Sequence, residues 1–117
     1  MRAMLRSKIH RARVTETNID YEGSITIDKK LMQEADILPG EQVHVVNLNN
    51  ASRLVTYAIE GKSGSGMICL NGAASRLAIK SDIVIIIAYG YFSEEEARTI
   101  KPRLVHVDEK NSIVKVN

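Results

Sequence analysis

Tryptophan is absent from this chain and phenylalanine occurs once, as Phe92, leaving four tyrosines as the other large rings. A core without big aromatic anchors must be aliphatic, and its many Ile and Val residues favour pleated, half-buried surfaces. Cysteine occurs once, as Cys69. A lone cysteine forms no internal disulfide, and with three histidines it is too little for a zinc site of the usual spacing. No long apolar run exists: Ile83 to Tyr89 is the longest, far below the ~20 residues of a membrane-spanning helix. Nor is there an excess of either charge, since 16 Lys+Arg face 14 Asp+Glu and leave +2. The opening Met1-Arg2-Ala3-Met4 leads into charged residues, so no signal peptide is expected and a cytoplasmic location is. With 117 residues, 44% hydrophobic and 26% charged, the chain is expected to form one compact domain, neither disordered nor membrane-embedded.

What is present reads as many short strands. Met4 to Val14 alternates, with Arg6, Lys8, His10, Ala12 and Val14 on one predicted face and Leu5, Ile9, Arg11 and Arg13 on the other. Thr15 to Gly23 is turn-rich and leads into the strand Ser24-Ile25-Thr26-Ile27. Asp28 is a good N-cap for a short helix from Lys29 to Asp36, with Leu31, Met32 and Ala35 as its apolar stripe. Leu38-Pro39-Gly40 turns the chain into a predicted hairpin of Glu41 to Leu48 and Arg53 to Ile59. Gly61 to Gly66 reads as a flexible turn, and Met67 to Leu70 as a strand followed by a possible helical turn at Asn71-Gly72-Ala73-Ala74. Ile83 to Tyr91 is the most apolar strand and is expected to be central. Ser93-Glu94-Glu95-Glu96 is a capping box opening a helix that Pro102 closes, and Leu104 to Val107 with Ile113 to Val116 makes a last hairpin. The expected architecture is a small, mainly β barrel with short helices.

Several local patterns invite chemistry. Gly61-Lys62-Ser63 matches the end of a phosphate-binding loop, but Thr56 stands where the first glycine belongs and a strand follows. Cys69, between Ile68 and Leu70, reads as an inert core thiol. His10, His44 and His106 show no ligand spacing; His10 shares a predicted face with Lys8, and such a basic pair can receive a carboxylate. Ile25 to Asp28, a short helix, and Ile37 to Val43 resemble the half-barrel unit of small dimeric bacterial transcription regulators. The weak, dispersed positive charge and the roughly 70 residues that follow make that the secondary reading.

A more extensive resemblance is carried by Met4-Leu5-Arg6-Ser7-Lys8-Ile9-His10-Arg11, Tyr21-Glu22-Gly23-Ser24-Ile25-Thr26-Ile27-Asp28 and Arg53-Leu54-Val55-Thr56-Tyr57-Ala58-Ile59. Asn71-Gly72-Ala73-Ala74-Ser75-Arg76-Leu77 and Asp82-Ile83-Val84-Ile85-Ile86 complete it. In these ordered, separated blocks the chain resembles the pyruvoyl-dependent aspartate 1-decarboxylases, from Met4 to about Val107.

The resemblance implies a six- to seven-stranded double-ψ β-barrel and a proenzyme that cuts itself between Gly23 and Ser24, giving chains 1–23 and 24–117. It implies decarboxylation of L-aspartate to β-alanine for pantothenate and coenzyme A synthesis. The cofactor implied is a covalent pyruvoyl group made from Ser24, with neither metal nor pyridoxal phosphate. Thr56 is implied in stabilising the cleavage oxyanion, and Tyr57 in returning a proton to the substrate carbon. Lys8, His10 and Arg53 are implied in binding the substrate carboxylates, with Thr56, Asn71 and the amides of Gly72, Ala73 and Ala74 completing the site. It implies a homotetramer with active sites between subunits, so that Lys8, Arg53 and Ser24 need not converge within one chain. A helper protein assists maturation in some relatives. No nucleic acid or membrane partner is implied. Strict alternation places Arg53 and Tyr57 opposite Thr56 on their strand, so either a bulge intervenes or Thr56 works from another side.

Overall fold

The computed structural model describes the whole chain, Met1–Asn117. Its strands are β1 (Arg2–Arg13), β2 (Glu16–Asn18), β3 (Ser24–Asp28), β4 (Gln42–Asn47), β5 (Arg53–Gly61), β6 (Ile68–Asn71), β7 (Ile83–Phe92), β8 (Arg103–Val107) and β9 (Ile113–Val116). Two short helices, α1 (Lys29–Ala35) and α2 (Glu94–Thr99), and a 3-10 turn over Gly72–Leu77 complete it. The fold is mainly β, as expected, but has nine strands where six or seven were expected. The stretch read as turn-rich contains β2, which has no apolar residue and forms by parallel pairing with β6. Only tertiary pairing reveals such a strand.

The strands follow the order β2-β6-β3-β5-β4-β7-β1-β8-β9. The expected β4–β5 and β8–β9 hairpins are antiparallel, whereas β3–β5 and β1–β8 are parallel and require crossover connections. β7 lies inside the series between β4 and β1, which accounts for its near-continuous apolar sequence. Alternate residues of the strands meet in one cluster of 19 buried side chains, including Ile9, Ile25, Ile27, Val43, Val45, Ile68, Leu70, Val84, Ile86 and Val105. No aromatic ring enters it, and each fully buried Ile or Leu contributes roughly 1.5–3 kcal/mol. A single core fed from both ends of the strand series is consistent with a small barrel.

The face assignment for β1 needs correction. Ser7 and Ile9 point inward, but Ala12 and Val14 are buried as well. Arg11 adopts φ 63°, and the pairing with β7 shifts between Ile9 and Ala12. This extra residue is a bulge, so residues beyond it change sides. Ala12 and Val14 therefore leave the face of Lys8 and His10 and join the core.

The glycine-rich turn is likewise pinned, not free. Asp28 is nearly fully buried; its carboxylate accepts from Lys30 N (2.9 Å), Gly64 N (2.9 Å) and Gly66 N (2.8 Å). One side chain thus caps α1 and holds the loop. The α1 stripe Leu31, Met32 and Ala35 is buried as predicted, and the Ser93–Glu96 capping box forms with both reciprocal bonds.

Candidate active site

Strand alternation builds the centre of the site. On β3, Ile25 and Ile27 enter the core, which turns Ser24 and Thr26 to the opposite face. On β6, Ile68 and Leu70 do the same, turning Cys69 and Asn71 to that face. The two strands pair antiparallel with Ser24 opposite Asn71 and Thr26 opposite Cys69, so four polar side chains form one patch. Asn71 Nδ2 donates to Ser24 Oγ (3.0 Å) and Thr26 Oγ1 (2.9 Å). Ser24 Oγ donates in turn to the Glu22 carbonyl (3.0 Å), and Cys69 Sγ donates to Asn71 Oδ1 (3.2 Å). Ser24, Asn71 and Cys69 are all buried. Burial, with the Glu16 charge beside it, pushes the Cys69 thiol up to about 11, so it remains an S–H.

Glycine can adopt a backbone conformation closed to other residues, but Gly23 does not use it. Gly23 is not in the left-handed region, and a Cβ there would meet nothing within 4 Å. The conformation closed to other residues belongs instead to Gly72, at φ +63°. A Cβ on Gly72 would lie 2.8 Å from both Cα and N of Gly23 and 3.0 Å from the Tyr21 carbonyl oxygen. Gly72 therefore lets the 3-10 turn press against the Tyr21–Gly23 backbone. Ala73 is exposed and Ala74 half-buried on the same turn, whose first amides have no side-chain cap.

β5 supplies Arg53, Thr56 and Tyr57. Its pairing with β4 runs without a register shift from Gln42–Tyr57 to Val46–Arg53, so no bulge intervenes. Arg53 and Tyr57 lie on the exposed face, and Thr56 is half-buried on the other. The β3–β5 register begins with Ile25 opposite Ala58, so Thr56 and Tyr57 lie just before the point where β5 joins β3. Arg53 lies four residues back from Tyr57, about 13 Å along the strand. Its guanidinium contacts His44 Nδ1 (3.3 Å), and His44 packs edge-on against Tyr89.

Lys8 and His10 occupy the outward side of β1, where they pair with Leu104 and His106 of β8. In the strand order β1 stands four places from β3. Neither Lys8 nor Arg53 engages a carboxylate within the chain. His10 stacks edge-on with His106 at 5.3 Å. Burial, followed by the charges of His106, Lys8 and Arg11, holds its imidazole below the usual value. His10 is thus a neutral hydrogen-bonding group at neutral pH and not a second cation beside Lys8. Ser24, Tyr57, Lys8 and Arg53 line none of the depressions beside α1, the Leu38–Gly40 turn, His44 and Tyr89, the Asp28–Gly66 loop, or Asn49 and Ile79.

The structure brings Ser24, Asn71, Thr26, Cys69, Gly23 and Gly72 together, and none of the hydrogen bonds among them involves Lys8, His10 or Arg53. Thr26 and Cys69 were not anticipated as members of this group. Their period-two spacing from Ser24 and Asn71 was the available signal. No group of three or more His, Cys, Asp or Glu side chains is arranged to hold a metal ion.

Comparison with known proteins agrees with this framework. The family model described as aspartate decarboxylase matches residues 1–114. The chain is 63% identical over 113 residues to the aspartate 1-decarboxylase of Dehalococcoides mccartyi, covering 97% of this chain and 91% of that protein. It is 58% identical over 113 residues to that of Thermoanaerobacter pseudethanolicus, covering 97% of each, and 58% identical to that of Acetivibrio thermocellus, covering 97% and 90%. These matches define an enzyme of the carbon–carbon lyase class. The chain belongs to the aspartate decarboxylase family.

Proposed function

We propose that this chain decarboxylates L-aspartate to β-alanine and CO2, using a pyruvoyl group made from its own Ser24, and so serves pantothenate synthesis in the cytoplasm. The observation that carries the reading is Ser24 itself. It is fully buried, follows an open Gly23, and has its Oγ bridged between Asn71 Nδ2 and the Glu22 carbonyl.

Maturation follows from the chemistry of that pair. Ser24 Oγ attacks the Gly23 carbonyl carbon; the C–N bond breaks and an ester forms. Thr56, the half-buried hydroxyl two residues before Ala58 on β5, is the donor for the oxyanion of that step. β-Elimination expels the Gly23 carboxylate and leaves dehydroalanine, and water then releases ammonia and leaves the ketone. Chains 1–23 and 24–117 result. The residues fit such a group, because Asn71 Nδ2 already donates toward the Ser24 side-chain position.

When formed, the pyruvoyl ketone supplies the electron sink that decarboxylation requires. The remaining tasks fall to side chains. Tyr57, on the exposed face of β5 one residue before the Ala58 that pairs with Ile25, returns a proton to the substrate carbon. Arg53 offers a planar fork for a carboxylate and Lys8 a point charge, with neutral His10 as a hydrogen-bonding neighbour. The amides of Gly72, Ala73 and Ala74 complete the binding surface.

The reading includes a homotetramer whose active sites lie between subunits, so that Lys8 and Arg53 of one chain can serve Ser24 of its neighbour. Tyr57, Val55, Tyr89 and Tyr91 are exposed on β5 and β7, an apolar and aromatic stripe suited to such contact. Maturation is open to assistance by a helper protein.

Denaturing mass spectrometry tests the proposal. Expected are a fragment ending at Gly23 and a fragment from residue 24 with a blocked terminus, together with β-alanine formation from aspartate. Ser24→Ala should give one uncut, inactive chain; normal activity in that variant would remove Ser24 as the precursor.

A further inference from the structure

The geometry points to Cys69 as a positioning residue for self-cleavage: its S–H fixes the orientation of the Asn71 amide, which in turn holds Ser24. The inference rests on the maturation reading above and adds a residue to it.

Asn71 lies 2% exposed between three hydrogen-bonding side chains. A carboxamide can face them in either of two orientations, related by a flip that exchanges Oδ1 and Nδ2. With Nδ2 toward β3, the amide donates to Ser24 Oγ and Thr26 Oγ1 together. Ser24 Oγ then keeps its own proton for the Glu22 carbonyl. In the flipped state Oδ1 would face the two hydroxyls, each of which would turn its proton toward the amide. Ser24 would lose its donor from Asn71 and its bond to Glu22.

A hydroxyl donates or accepts equally well, so Thr26 does not select between these states and Ser24 does so only through its bond to the Glu22 carbonyl. Cys69 adds a second selection in the same direction. Its sulfur is 3.2 Å from Asn71 Oδ1, and the other acceptor in reach, the Leu70 carbonyl, is at 3.9 Å. A protonated thiol is a donor and only a weak acceptor, so it favours Oδ1 facing it. The thiol is 4% exposed, which keeps water from replacing it as donor. Cys69 therefore differs from an inert core thiol: it lies outside the aliphatic cluster, on the same strand face as Asn71.

The test compares the rate at which freshly made chain converts to fragments 1–23 and 24–117, read by denaturing mass spectrometry. Cys69→Val preserves bulk and removes the donor; Cys69→Ser keeps a donor. Expected is a slowing of about five- to tenfold in Cys69→Val, with Cys69→Ser within about twofold of the parent. Thermal melting of both in a Ser24→Ala background separates folding from chemistry. If Cys69→Val melts early there, Cys69→Ala takes its place. Cleavage of the donor-free variant at the parental rate overturns the inference, as does equal slowing in Cys69→Ser with unchanged melting. Should the parent chain itself never cut, the maturation reading fails first and takes the inference with it, a result distinct from the other two.

Discussion

At the scale of single residues, Gly23 and Gly72 use their missing side chains differently. Gly23 sits where cleavage is proposed, yet nothing surrounds its missing side chain; Gly72 has a left-handed backbone and is pressed onto its neighbour. Gly72→Ala must both occupy the left-handed region, at about 1–2 kcal/mol, and push the Gly23 backbone away. We expect a lower urea midpoint and an uncut chain persisting in denaturing mass spectrometry. Gly23→Ala should leave the urea midpoint nearly unchanged. Gly72 was legible in the sequence as a substrate-site residue only, because φ and a contact across 49 positions leave no local trace.

At the scale of elements, Asp28 joins two segments 36 residues apart. Asp28→Ala removes the α1 cap, worth about 1 kcal/mol, and charge-assisted bonds to two loop amides, each about 1.5–3 kcal/mol when buried. A loss of about 3 kcal/mol or more is expected in urea unfolding, with the Gly64 and Gly66 amides exchanging earliest. Asp28 was readable as a cap because capping is local, spanning two residues. Its hold on the loop was not, and the loop looked flexible for that reason. Alternation made β3, β5 and β7 legible, and it correctly set Thr56 against Arg53 and Tyr57. It failed on β1 because Arg11 bulges, and a bulge shows itself only through pairing with a partner strand. It missed β2 because Glu16-Thr17-Asn18 has no apolar face to display.

At the scale of the whole molecule, charge near β1 ties stability to pH. His10 has a folded-state affinity for protons below the ordinary imidazole value, with His106, Lys8 and Arg11 facing it. The unfolded chain then binds the proton first, so this contribution is complete above about pH 6.5 and is lost as pH falls toward the folded value. His10→Gln should therefore show a shallower decline in melting temperature between pH 7 and 5 than the parent. A parallel decline in both would remove His10 as the cause. The resemblance anticipated that Lys8 and Ser24 need not converge within one chain, whereas the strand order that sets β1 four places from β3 shows in no motif.

The double flanking of β1 has a final consequence. This strand pairs with β7 on one edge and β8 on the other, and it contributes Ile9 and Ala12 to the core, with Val14 just beyond its end. Scission after Gly23 would sever the covalent tether to the rest of the chain while leaving every one of those contacts intact. The short piece becomes, in effect, a tightly held ligand of the long one. Native properties should survive the cut, but recovery from denaturant should not remain a solitary event. Refolding of uncut Ser24→Ala should include a strand-insertion phase independent of dilution. In the cut protein that phase should become second order, slowing in proportion as the two pieces are diluted.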